Sequence, residues 1–180
     1  MAAPSCQFVP CRPDDSPALA AWIASGIWPY HVVRQPTADQ VTAWIERGQF
    51  WGEDARTFWI VVDEARVGIV SLQDLEDPTP VFDLRIAEAW RGKGVGREAV
   101  QWIADYTFRE TDKHRLEAHV RADNDAMRHV MRTSGWVKES HARNAWPDAD
   151  GAWHDALAYA VLKKDWASGD VTPVAWDPTS

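Results

Sequence analysis

Hydrophobic positions along this chain follow two rhythms. Short runs or period-two alternation mark strands, and a period near 3.6 marks helices. Gln7 to Arg12 reads as a first strand, stopped by Pro13. Pro17 to Ile27 places Ala18, Leu19, Trp22 and Ile23 at helical spacing. Thr37, with Gln40 three residues on, matches a capping box. Val41, Trp44 and Ile45 continue from it as an apolar stripe, and Gly48 is its stop. Thr57 to Val62, Val67 to Leu72 and Val81 to Ile86 then read as a three-strand meander, with Asp63 to Arg66 as the first turn. Val95 to Phe108 is helical, carrying Ala99, Ile103, Tyr106 and Thr107 on one side. Leu116 to Ala122 is a strand. Asp123 or Asn124 caps a short helix with Ala126, Met127, Val130 and Met131 on its apolar face, and Gly135 ends it. Trp136 to His141 and Trp153 to Lys163 are the last two strands, across a polar loop holding Pro147 and Gly151. The predicted order is β, α, α, β, β, β, α, β, α, β, β. It makes one domain over residues 1–166, with 167–180 as a C-terminal tail.

Composition narrows this picture. A chain of 180 residues suits one domain with a sizeable core. No apolar run approaches the ~18 residues of a membrane span, and the opening MAAPSCQFVPCRPDD lacks the basic-then-apolar order of a signal peptide. The net charge of −8 argues against general nucleic-acid binding and favours a cationic partner. Cys6 and Cys11 make no disulfide framework, and no His/Cys spacing matches a metal site, so a reduced, cytoplasmic setting is expected. The twelve tryptophans either fill a core or, for a few, line a ligand pocket.

The segment RIAEAWRGKGVGREAV adds chemistry. Gly92, Gly94 and Gly96 alternate with other residues immediately before a helix. Bare backbone N–H groups in such a turn point into one concavity, and the helix N-terminus behind them carries roughly half a positive charge. Arg91, Lys93 and Arg97 supply full charges beside it. The turn is therefore a candidate phosphate site. Its spacing is neither that of a Walker loop nor that of the dinucleotide fingerprint. A flexible surface turn with solvated charges is the structural alternative.

The same residues carry a family resemblance. A strand, then RGKGVG, then a helix resembles the acyl-CoA pyrophosphate loop of the GNAT family of N-acetyltransferases. ADNDAMRHVMRTSGW resembles that family's second signature, an Asn followed by Gly and an aromatic, here Asn124, Gly135 and Trp136. GAWHDALAYAVLKKDW resembles the closing strand of the branch that includes the ribosomal-protein N-acetyltransferases, and CRPDD its opening strand. The resemblance runs from Cys6 to Trp166 and is strongest over Val81 to Trp136. It implies an α+β (α/β) GNAT fold: a mixed, mostly antiparallel seven-stranded sheet with strands 4 and 5 splayed, flanked by about four helices.

By the same resemblance, the function is acetyl transfer from acetyl-CoA to a primary amine, either a protein N-terminus or a small molecule, by direct attack on the thioester. Backbone groups near Ile86 would hold the cofactor's pantetheine arm. The N–H groups from Gly92 through Lys93, Gly94, Val95 and Gly96 to Arg97 would hold its pyrophosphate, and Asn124 would bind the arm from the next helix. The attacking amine must lose a proton, so a base is needed. Asp83, Glu88 and His119 are the candidates. Family members often place a tyrosine seven residues after the Asn to protonate the leaving thiolate. This chain has Met131 there, with Ser134 as a stand-in. Trp28, Tyr30 and His31 are expected at the acceptor, with His141, Arg143 and Trp146 contributing from the final hairpin. The acceptor is expected to be neither nucleic acid nor membrane, and the chain to act as a monomer or homodimer. A non-catalytic acyl-CoA-binding module is the alternative, and nucleotide binding by the same turn a weaker one.

Overall fold

A computed structural model of the chain describes residues 4–176. The predicted meander is its spine: β2 (Ala55–Val62), β3 (Ala65–Gln73) and β4 (Val81–Ile86). Before them come β1 (Gln7–Pro10), α1 (Ser16–Ala24) and α2 (Ala38–Glu46). After them come α3 (Val95–Glu110), β5 (Arg115–Arg121), α4 (Asp125–Thr133), β6 (Val137–Pro147), β7 (Trp153–Leu162) and α5 (Lys163–Ser168). The seven strands form one sheet in the order β1-β2-β3-β4-β5-β7-β6. All neighbouring pairs are antiparallel except β4 and β5. The expected fold class is what the chain adopts.

The sheet is covered on both faces, which is why its central strands read as nearly continuous apolar runs. Phe58, Ile60 and Val62 of β2 face a core shared with Val100, Ile103 and Phe108 of α3 and Met131 of α4. Trp59 points the other way, into a core with Leu19 and Ile23 of α1, Val41 of α2, and Trp28. Trp28, Trp59 and Trp136 are buried while Trp153 and Trp176 are exposed, so the tryptophans are only partly a core device.

Several boundaries differ from the sequence reading. Helix α1 stops at Ala24 rather than Ile27. The indole of Trp28 folds back to donate to the Ile23 carbonyl at 2.9 Å, and a Cβ on Gly26 would sit 2.3 Å from that ring. The β2–β3 turn takes two residues, not four. Asp63 and Glu64 both adopt positive φ (46° and 65°) without the Gly or Asn that usually signals such a turn. The capping box at Thr37 forms as read, with Thr37 Oγ1 accepting from the Gln40 N–H at 3.2 Å. Strand β6 continues past His141 to Pro147, which an edge strand tolerates. It pairs with β7 through two irregularities, one between Ala142 and Trp146. Helix α5 makes five α-helices among the described residues rather than about four. It spans the 166/167 boundary, and Thr172 beyond it bonds back to the buried Asp165 through its N–H and hydroxyl, at 2.9 and 2.7 Å.

One feature of the sheet matters most. Strands β4 and β5 share a single ladder pair, Val81 with Glu117, where the Glu117 N–H donates to the Pro80 carbonyl at 3.0 Å. Past that pair the parallel ladder stops, and Phe82 to Arg85 on one strand and Ala118 to Arg121 on the other line a cavity together.

Candidate active site

The glycine turn joins β4 to α3. Gly92 and Gly94 both have positive φ (71° and 93°), the left-handed region that other residues enter at a cost. Gly94 is the N-cap of α3, and its carbonyl accepts from the N–H groups of Arg97 and Glu98 at 3.1 Å each. Among the described residues nothing accepts from the N–H groups of Gly92 through Gly96. These are the orphan donors of a helix start. Gly96 packs so closely on Ile86 that a Cβ would lie 3.3 Å from the Ile86 Cδ1. A free row of donors at the positive end of a sixteen-residue helix fits a diphosphate.

Two cavities, of about 510 and 410 Å³, lie along the gap between β4 and β5. The larger runs from Gly92, Gly94, Gly96 and Arg97 along α4. The smaller reaches α2 at Trp44 and the final hairpin at Trp146. They meet where Tyr30, His31, Leu84, Arg85, Asn124 and Met127 line both. Two cavities that meet at one junction can hold two reactants side by side. Asn124 lines this junction while its side chain accepts from the Met127 N–H at 3.1 Å as the α4 N-cap.

At the junction, alternation along β4 turns Asp83 and Arg85 toward the α1–α2 loop. His31 Nε2 donates to Asp83 Oδ1 at 2.8 Å, and Arg85 Nε donates to Asp83 Oδ2 at 3.1 Å. Burial alone would raise the Asp83 carboxyl. The charges of Arg85 and His31 and their hydrogen bonds outweigh it and hold Asp83 well below the usual carboxylate range. Two buried nitrogens, His31 Nδ1 and Arg85 Nη1, have no hydrogen-bond partner among the described residues. The loop carrying His31 is pinned at several points. Arg121, itself buried, donates to the Pro29 carbonyl at 3.2 Å and sits 5.5 Å from the Tyr30 ring. Arg91 donates to the Ile27 carbonyl at 2.6 Å, and the Trp28 N–H donates to the Arg34 carbonyl at 2.8 Å.

The comparisons with known proteins bear on this geometry. Residues 7–137 match the model of the acetyltransferase (GNAT) domain. The chain belongs to the GNAT acetyltransferase family. It is 33% identical over 106 residues to the "Probable N-acetyltransferase YjcK" of Bacillus subtilis, covering 57% of this chain and 58% of that protein. It is 30% identical over 84 residues to the ribosomal protein uS5 alanine N-acetyltransferase of Escherichia coli, covering 47% of this chain and 43% of that one. Such matches span about half the length of these relatives. Among solved structures, the spermidine N-acetyltransferase of Vibrio cholerae in complex with CoA and spermine superposes with a TM-score of 0.73 at 19% identity, over 90% of this chain and 98% of that one. That likeness is one of fold.

Measured against the GNAT reading, the predicted residues separate into groups. Gly92, Gly94, Gly96, Arg97, Ile86 and Asn124 line the larger cavity, as do Trp28, Tyr30 and His31. Val95 is fully buried, so only its N–H can serve. Arg91 lines the cavity too, but its guanidinium is used within the fold, bonding the carbonyls of Ile86 (3.0 Å) and Ile27. The Ile86 carbonyl is thus already engaged. Lys93 lines neither cavity; its ammonium lies 4.9 Å from the Trp90 ring. Glu88 is exposed in a 3-10 turn (Glu88–Trp90) and also lines neither. His119 reaches the smaller cavity but is about half exposed and bonded to Glu117 at 2.9 Å. Met131 is fully buried in the core, and Ser134 lines neither cavity. From the hairpin, only Trp146 lines the cavity, while His141 pairs with Asp155 at 2.7 Å and Arg143 is exposed.

Arg85 and Arg121 were missed by the sequence reading. The alternation of VFDLRI could have revealed Arg85, which must share a face with Asp83. Nothing local marks Arg121 as the pin of a loop ninety-two residues away.

Proposed function

We propose that this chain is an acetyl-CoA-dependent N-acetyltransferase that passes the acetyl group to a primary amine by direct attack on the thioester. The observation that carries the reading is the interruption of the sheet: the β4–β5 ladder stops at one pair, and two cavities meet in the gap it leaves. In this reading the N–H groups of Gly92 to Gly96, with Arg97, hold the pyrophosphate, and Asn124 and the end of β4 hold the arm. The amine enters through the smaller cavity.

A protein N-terminus or a small amine remains the acceptor class. The overall charge of −8 does not extend into the acceptor cavity, where Asp83 is the one lining carboxylate among the described residues and is already paired. Arg85, with a buried unpartnered Nη1, favours an amine that carries an oxygen acceptor nearby over a polyamine. Residues of this one chain line both cavities, and it is proposed to act as a monomer or a homodimer. A cytoplasmic setting suits its two thiols, Cys6 and Cys11. They pack into different cores, and burial pushes each up to about 12.

Calorimetry with acetyl-CoA at physiological salt, followed by thiol release across a panel of peptides, amino acids and polyamines, tests the proposal. Saturable binding with turnover on at least one amine is expected. The buried Met131, standing where the resemblance calls for a tyrosine, favours a second reading, an acyl-CoA-binding module. That reading predicts binding with no turnover on any acceptor.

A further inference from the structure

We infer that His31 is the group that takes the proton from the attacking amine, and that Asp83, although a carboxylate in the same site, acts as a positioning residue. The inference deepens the acetyltransferase reading and rests on it.

The geometry assigns the two roles. Asp83 is ionised and can only accept, so the ring nitrogen 2.8 Å from it, His31 Nε2, carries the hydrogen. In the neutral imidazole the lone pair is then on Nδ1. That atom is buried and has no partner among the described residues. The ring lines both cavities, at the place where they meet. Asp83 has little capacity left for a proton, because its second oxygen accepts from Arg85 Nε. The charged and titratable groups that line the two cavities with His31 are Tyr30 beside it, Asp83 and Arg85 of β4, Arg91 and Arg97 of the glycine turn and α3, His119 and Arg121 of β5, and His129 of α4. None of these except Asp83 is a carboxylate, and Glu88 lines neither cavity.

The step balances without a further reactant. The amine nitrogen forms a bond to the thioester carbonyl carbon, the carbon–sulfur bond breaks, and its electron pair leaves on sulfur. The N–H proton passes to His31 Nδ1, and the resulting imidazolium returns it to the thiolate, giving the amide and free CoA.

The test compares wild type with His31→Gln, using an amine that the wild type acetylates. General-base loss should lower kcat by about 10²–10⁴-fold while leaving acetyl-CoA affinity unchanged within about twofold. The acid limb of the wild-type kcat profile should vanish in the variant, which a merely structural role would not cause. A second readout needs no turnover: nitrogen NMR of the wild-type imidazole should show the Nε2–H tautomer, lost in Asp83→Asn. Turnover by His31→Gln within about fivefold of wild type, an intact acid limb, or a wild-type ring protonated on Nδ1 would each overturn the assignment while leaving the acetyltransferase reading in place. A failure of the wild type to bind acetyl-CoA or to turn over any amine would remove both.

Discussion

The two ends of the channel are built differently. The proposed cofactor end is backbone: five consecutive N–H groups, two left-handed glycines and a helix start, all within Gly92–Arg97. The proposed acceptor end is side chain. It collects His31 from a loop, Asp83 and Arg85 from β4, Arg121 from β5, Asn124 from the α4 cap and Trp146 from β6. A backbone site depends on local conformation and tolerates changes in charge around it. A side-chain site depends on hydrogen bonds between distant segments, so single polar substitutions should damage it far more.

The largest expected effect is at the acceptor end. Asp83→Asn should cut kcat by about 10²-fold or more, because the imidazole loses the acceptor that sets its tautomer, while acetyl-CoA binding stays within about twofold of wild type. The same carboxyl links stability to pH. Its native proton affinity is depressed, so the unfolded chain binds the extra proton as the pH drops below about 4. The contribution is complete above that range and is lost as the pH falls toward the native value. Thermal melts should therefore show the gap between wild type and Asp83→Asn narrowing from about pH 5 to about pH 3.

Next comes the cofactor end. Gly94→Val must place a β-branched residue at φ 93°. That costs about 1–2 kcal/mol, which corresponds to a roughly 5–30-fold loss of acetyl-CoA affinity by calorimetry if the turn distorts to relieve it. The acid limb of the rate profile should survive, because His31 is untouched. A loss of that limb would mean that the two ends are not separable.

Asn124→Ala probes the junction. It removes the α4 cap, costing about 1 kcal/mol and lowering the melting temperature by about 2–4 °C. If the side chain also holds the cofactor's arm, acetyl-CoA binding weakens in addition. A stability loss with unchanged binding would confine Asn124 to capping. Smallest of all, Glu88→Gln should leave kcat within about twofold of wild type by thiol release, since an exposed side chain outside both cavities has no proton to take. A larger loss would restore it as a candidate base.

Much of the architecture was legible from local pattern. The strand β4 was read to the residue, and the capping box at Thr37, glycine stops and apolar stripes located α2, α3 and α4. The misses come from tertiary packing and side-chain contacts that backbone periodicity does not report. Trp28 folding onto Ile23 shortened α1, β7 drew β6 past His141 as far as Pro147, and packing onto the domain turned residues 163–168 into a helix. Among the candidate site residues, the glycines and Asn124, which line the larger cavity, were singled out by spacing. His31 was noticed as an acceptor-site residue, but its partnership with Asp83, fifty-two positions away, left no sign in the chain.

What the amino-acid order settled alone was the phosphate-shaped turn and the sequence of strands and helices, because positive φ, capping and periodicity are properties of a few neighbouring residues. What required the folded molecule was the division of labour in the gap. Only the early end of the β4–β5 ladder and the pinning of residues 28–31 by Arg91 and Arg121 decide which carboxylate is neutralised and which nitrogen is left bare. Charge and proton affinity depend on what approaches through space, and the distance along the chain carries no record of that.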